Sequence, residues 1–269
     1  MEQNLVPSLI AYCQHCFADT YLPSHDTSHH LRTWKFARML VSTFSATREY
    51  TRQKLDNFAF ACLLHDTGMS VTIDPEHGPA GRKLAEQFIS AHNLSTEYFN
   101  EALDAIAFHD DKDYRDAGNN DSPDPQSVIR ILSLADDMDA LGYIGVFRYY
   151  EIYVLRGFTT DNLAKAVLGN LEKRFSRMER LLADFPEWLD TLREKFNVIH
   201  GFFTRLAGTG LTEISEECSS GPRQVLCIFD RQIRIPHYSP EEYREKIDYS
   251  GMGDYAMAFF KNFYLELES

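Results

Sequence analysis

A histidine and an aspartate stand side by side at the end of an apolar run, Phe58-Ala59-Phe60-Ala61-Cys62-Leu63-Leu64-His65-Asp66. A buried helix that ends in an imidazole beside a carboxylate needs partners for both, because a polar group stripped of water requires a hydrogen bond or a metal. Two other stretches supply candidates. His29 lies upstream in Asp26-Thr27-Ser28-His29-His30-Leu31-Arg32, and Asp136 lies downstream in Ile131-Leu132-Ser133-Leu134-Ala135-Asp136-Asp137-Met138-Asp139. All three stretches have apolar residues at helical spacing, so His29, His65, Asp66 and Asp136 can converge from three helices of one bundle as ligands of a divalent metal. Mixed imidazole and carboxylate donors suit Mn, Fe, Co, Ni or Zn. Mg is also admissible, although an all-oxygen set would have favoured it more. Such an ion lowers the pKa of a bound water toward neutrality and polarises a phosphoryl oxygen, which is the chemistry of phosphoester hydrolysis.

The ordered set His, His-Asp, Asp resembles the HD superfamily of metal-dependent phosphohydrolases. The resemblance covers roughly the first two thirds of the chain. Three blocks carry it: His29-x-x-Arg32 with Ala37 further on, Leu63-Leu64-His65-Asp66-Thr67-Gly68, and Ala135-Asp136-x-Met138-Asp139-Ala140-x-Gly142. The last continues as Tyr143-Ile144-Gly145-Val146-Phe147-Arg148, which is similar to the small bacterial HD hydrolases. The resemblance also implies a second ion. His77, in Glu76-His77-Gly78-Pro79-Ala80, and His109, closing Ala102-Leu103-Asp104-Ala105-Ile106-Ala107-Phe108, stand in the order of the two-metal members, where Asp66 would bridge the ions.

Other residues take supporting roles in this reading. Arg32 and Asp26 each lie one helical turn from His29. Asp26 is expected to cap the helix, and Arg32 to contact phosphate or to hold Asp136. Asp139, one turn after Asp136, is expected to steady a ligand or accept a proton, so Asp66, Arg32 and Asp139 form the catalytic set. Asp137 is expected to face away, and His25 and His30 are read as neighbours of the site. Lys112 and Arg148 are the candidate substrate-binding cations. Lys173, Arg174 and Arg177 are read as a solvated helix face.

A net charge of −13 disfavours a nucleic-acid polymer as partner, and the expected partner is a small phosphorylated substrate. A homo-oligomer is compatible with the sequence. No signal peptide or membrane span is visible, so the expected compartment is the cytoplasm. The five cysteines are odd in number and suggest no disulfide framework. Cys13-Gln14-His15-Cys16 is read as part of an amphipathic first helix. Glycine loops of the Walker and Rossmann kinds and a Gly-x-Ser-x-Gly elbow are missing, which leaves kinase, dehydrogenase and serine-hydrolase readings unsupported.

The periodicity predicts an all-α fold with helices near 3–18, 28–46, 51–67, 77–92, 96–109, 125–141, 143–156, 161–184, 187–207, 239–249 and 252–267. Gly68 reads as a helix-terminating glycine, and Ser239-Pro240-Glu241-Glu242 as a capping box. Val225-Leu226-Cys227-Ile228-Phe229 reads as a short strand-like run. The polar stretch 110–125 is expected to form a loop at the rim of the pocket. Residues 1–207 are read as the catalytic bundle and 208–269 as a mostly helical accessory segment. Two rivals stand beside hydrolysis: a mixed-valent di-iron oxygenase, to which the superfamily resemblance extends, and a non-catalytic regulatory protein stapled by its metal.

Overall fold

The computed structural model describes residues 5–45, 49–110, 127–208, 220–234, 238–247 and 249–268. Among them the regular structure is entirely helical, as the periodicity predicts. The chain divides into two compact units, Met1–Thr20 with His25–Asp139, and Tyr21–Ser24 with Ala140–Ser269. The division at Asp139/Ala140 falls well before the expected boundary at 207/208.

The first unit contains α1 (Leu5–Cys16), α2 (Thr27–Phe44), α3 (Arg52–Leu64), α4 (His77–Ala91), α5 (Asn100–Phe108) and α6 (Val128–Asp139). Every residue of α3 from Asn57 to Leu64 is buried, so the second half of this helix is enclosed on all sides rather than along one stripe. It accordingly packs against α1, α2, α5 and α6. The Asp26 carboxylate caps α2 by accepting the Ser28 N–H at 2.9 Å, as expected. Thr51 caps α3 through the Lys54 N–H. The predicted helix 51–67 ends earlier, at Leu64. His65 and Asp66 leave its axis and a 3-10 turn, Thr67–Ser70, follows. Cys13 lies in the core of α1, where burial pushes its thiol up to about 12 and removes it from thiolate chemistry.

The second unit contains α7 (Gly142–Leu155), α8 (Thr160–Leu181), α9 (Pro186–Ala207), α10 (Gly221–Arg234), α11 (Pro240–Tyr243) and α12 (Asp254–Leu267). The central helix is α7, against which α8, α9, α10 and α12 all pack. The run Val225–Phe229 belongs to α10, which corrects the strand-like reading. Its buried residues, Val225, Leu226, Ile228, Phe229 and Gln232, recur at three and four positions and form one helical face. A short apolar run does not by itself separate strand from helix, and here the flanking residues continue the helical period. The capping box at Ser239 is present, with Ser239 and Glu242 each bonded to the other's backbone N–H.

The start of α7 has no side-chain cap of its own. Glu266 of α12 supplies one, its Oε2 accepting the N–H groups of Tyr143 at 2.7 Å and Ile144 at 3.4 Å, while Lys195 donates to Oε1. Gly142 permits this approach. Its φ is +70°, and a Cβ there would fall 2.3 Å from Glu266 Oε1.

Candidate metal centre

Six side chains of the first unit, scattered from position 29 to position 136, meet in its interior. His29 and His65 are fully buried, while Asp66, His77, His109 and Asp136 are nearly so. The Nε2 atoms of His29 and His65 lie 3.0 Å apart. Asp66 Oδ2 is 3.4 Å from the first and 3.3 Å from the second. Asp136 Oδ1 is 3.6 Å from His29 Nε2 and 3.9 Å from His65 Nε2. On the other side of the same carboxylate, Asp66 Oδ1 is 2.9 Å from His109 Nε2 and 3.5 Å from His77 Nε2, and those two nitrogens are 3.3 Å apart. The six residues thus form two groups, His29/His65/Asp66/Asp136 and Asp66/His77/His109, each able to hold a metal ion. Asp66 belongs to both and turns one oxygen to each.

The local chain explains why the imidazoles point inward. Nδ1 of His65, His77 and His109 each donates to the backbone carbonyl three residues earlier: Cys62 at 3.0 Å, Asp74 at 2.8 Å and Ile106 at 2.8 Å. A carbonyl oxygen can only accept, so each Nδ1 carries a proton and Nε2 is the ring nitrogen turned to the cluster. His29 uses a tertiary acceptor instead, Asp139 Oδ2 at 2.8 Å. With four Nδ1–H groups committed outward, four Nε2 atoms converge at spacings that only shared protons or a cation can hold against lone-pair repulsion. Separations of 3.0–3.9 Å are also the edges expected for donors around an ion with bonds of about 2.1 Å. The residues therefore fit a divalent metal, and the mixed nitrogen and oxygen set fits the transition series.

Glycines bring the two groups together. A Cβ on Gly68 would lie 1.9 Å from the His77 carbonyl oxygen and 2.4 Å from Gly81 N, and one on Gly78 would lie 2.5 Å from the Ala107 carbonyl oxygen. Backbone thus rests directly on backbone where α4 meets the 3-10 turn and α5, and this close approach delivers His77 and His109 to Asp66. The expectation for Gly68 changes accordingly. Its role is close packing inside the turn, not termination of α3.

The remaining sequence candidates are distributed as follows. Arg32 Nε and Nη2 donate to Asp139 at 2.7 and 3.1 Å, and Nη1 donates to Ser28 Oγ. Asp139 is consequently engaged by both His29 and Arg32. Asp137 is buried and stands outside both groups. His25 and His30 are neighbours, as read, with ring centroids 5.6 and 5.4 Å from that of His29. Burial pushes the His30 pKa well below its ordinary value. Arg148 is buried on α7 in the second unit. Lys112 and the expected rim loop beyond Asp110 lie outside the described residues. Ser28 and the three carbonyl acceptors were not anticipated, and backbone acceptors leave no mark in residue identity.

Burial opposes the charge of Asp66, yet the imidazoles of His65, His109 and His29 hold its carboxyl well below the usual range. Burial equally opposes protonation of His109, but Asp66 outweighs it and raises His109 to about 9. At neutral pH the metal-free protein therefore carries an imidazolium at His109. Its folded pKa exceeds the unfolded value of about 6.5, so this pair stabilises the metal-free fold fully below pH ~6.5 and progressively less as pH rises toward about 9. Metal binding has the opposite dependence, because an ion at His109 must displace that proton. Titration calorimetry at pH 7 in buffers of different ionisation enthalpy should detect proton release. Melting of the metal-free protein between pH 6 and 9 should show declining stability. Ion uptake without proton release would remove His109 from the ligand set.

A bundle of helices enclosing two groups of His and Asp donors that share one aspartate defines a candidate dinuclear metal centre. Residues 27–141 match the family model of the HD domain, and the cluster is consistent with the metal site of that family. The matched stretch is similar to an HD domain. It runs from the first residue of α2 to just past the end of α6 and includes all six side chains. No curated protein and no solved structure gives a significant match. Among the described residues no helix is long and apolar enough to cross a membrane.

Proposed function

We propose that the chain is a metal-dependent phosphohydrolase acting on a small phosphoester, a nucleotide or related metabolite. The observation that carries this reading is the two-sided Asp66 carboxylate, with Oδ2 facing His29 and His65 and Oδ1 facing His77 and His109. When bound by these side chains, divalent ions supply a water of lowered pKa and positive charge for the phosphoryl oxygens. The protein's own part is orientation. Asp139 accepts the Nδ1–H of His29, so it fixes the tautomer that leaves Nε2 available. Arg32 balances the buried Asp139 charge with two hydrogen bonds. With both oxygens taken in this way, Asp139 is suited to positioning His29 more than to accepting a proton from substrate.

The resemblance extends, through the same six residues, to mixed-valent di-iron oxygenases, and one experiment separates the two activities. Protein loaded with Mn²⁺ or Co²⁺ under anaerobic conditions is expected to release phosphate from some member of a panel of nucleotides, cyclic nucleotides and sugar phosphates, since hydrolysis needs only a Lewis acid and water. Phosphate release that required iron and oxygen would overturn the proposal. So would a silent panel alongside oxygen consumption by the iron form with an organic substrate.

A further inference from the structure

The second unit contains a cavity of about 230 Å³, shaped by Tyr143 of α7, by Gly201, Phe202 and Arg205 of α9, and by Tyr255 and Phe259 of α12. All of these residues belong to that unit, and none is among the six donors of the metal centre. Helices α9 and α12 both pack on α7. Phe202 and Phe259 are buried, whereas Arg205 is exposed, so the cavity has a closed apolar side and a charged rim.

Two of the lining residues are not explained by packing within the fold. Gly201 stands in the interior of the 22-residue α9, where glycine is less favourable than alanine because it gives up more backbone freedom on folding. Close approach does not require it, since a Cβ there would meet no heavy atom within 4 Å outside its own stretch of helix. The missing side chain leaves that wall of the cavity open. Arg205 is the second. Its Cζ lies 5.6 Å from the centroid of the Tyr255 ring, and among the described residues no carboxylate stands within ion-pair distance of it. In this acidic chain other arginines, such as Arg82, Arg193 and Arg244, do have carboxylate partners.

The walls indicate what would fill the space. The Phe259 ring is 5.1 Å from that of Tyr143 and 5.3 Å from that of Phe202, in edge-to-face and tilted arrangements, and such faces and edges favour a further planar ring. A cavity of about 150 Å³ already holds benzene, so the volume here suits one ring with a small substituent. A guanidinium free of acidic partners pairs best with a carboxylate, two N–H groups on two oxygens.

We propose that this cavity binds a small aromatic carboxylate, its ring beside Gly201 among Tyr143, Phe202, Tyr255 and Phe259 and its anionic group on Arg205. The test is ligand-observed NMR and titration calorimetry on the full chain with benzoate, 4-hydroxybenzoate and nicotinate, and with benzyl alcohol as the uncharged analogue. At least one acid should bind saturably with a Kd of about 1 mM or below, about tenfold more tightly than benzyl alcohol. Arg205→Gln should remove that margin and leave the alcohol bound as in wild type. Gly201→Leu should fill the cavity and abolish binding of both, with a melting temperature at or above that of wild type.

Arg205→Gln, a change at an exposed position, carries the test should Gly201→Leu fail to fold. Absence of saturable binding by every acid would overturn the proposal, as would wild-type affinity in a folded Gly201→Leu or Arg205→Gln protein. Self-association in sedimentation velocity that Gly201→Leu abolishes would give the cavity to a second copy of the chain and overturn it equally.

Discussion

Asp66→Ala should leave the protein helical but without either ion, and phosphoester hydrolysis should fall by at least about 1,000-fold. Asp66 is the residue shared by the two donor groups, and its oxygens are divided between them. Removing it takes one ligand from each ion together with the negative charge that draws cations into a pocket lined by imidazoles. The backbone has little reason to change, because Asp66 lies beyond the end of α3. Metal content by mass spectrometry and circular dichroism should be recorded on the same sample, since loss of a ligand also removes the stabilisation that binding confers on the fold. A variant retaining full metal occupancy would exclude Asp66 as a ligand. One retaining activity without metal would dismiss the proposed chemistry.

The second large effect concerns stoichiometry. Metal-replete wild-type protein should bind two ions per chain, and the His77→Ala/His109→Ala double variant one, with the remaining ion held by His29, His65, Asp66 and Asp136. Activity should drop about 100-fold or more, because a single ion cannot stabilise both the attacking and the leaving oxygen. The geometry supports separability: His77 and His109 reach the centre from α4 and the end of α5, whereas the first group comes from α2, α6 and the end of α3. Native mass spectrometry or anomalous scattering would count the ions. A wild-type count of one, remote from His77 and His109, would reduce these two histidines to pocket walls. A count of zero in the double variant would mean that the ions bind only as a pair.

The six residues of the cluster were nameable from the sequence, His29, His65, Asp66 and Asp136 by identity and spacing, and His77 and His109 through the family resemblance. A histidine beside an aspartate at the end of an apolar run is chemically conspicuous wherever it is found. The helices were legible for a related reason, since burial of one face writes a three-and-four spacing into the chain. Where that signal is short it misleads, as at Val225–Phe229, whose helical continuation is carried by the flanking Pro222 and Gln232.

What tertiary structure alone decided is the choice of partner among equivalent candidates. The sequence argument gave Arg32 a phosphate or Asp136 as its partner, and Asp139 lies one turn further along α6. The packing of α2 on α6 brings Arg32 to Asp139, while Asp136 faces His29 Nε2. The two-sided use of Asp66, the backbone junctions at Gly68 and Gly78, and the capping of α7 by Glu266 are of the same kind. They join groups separated by as few as nine residues, Gly68 and His77, and as many as 123, Tyr143 and Glu266. Helical periodicity reports which side of a helix is buried, but the meeting of particular atoms across helices is set by packing. That information resides in the assembled bundle, not in any one stretch of chain.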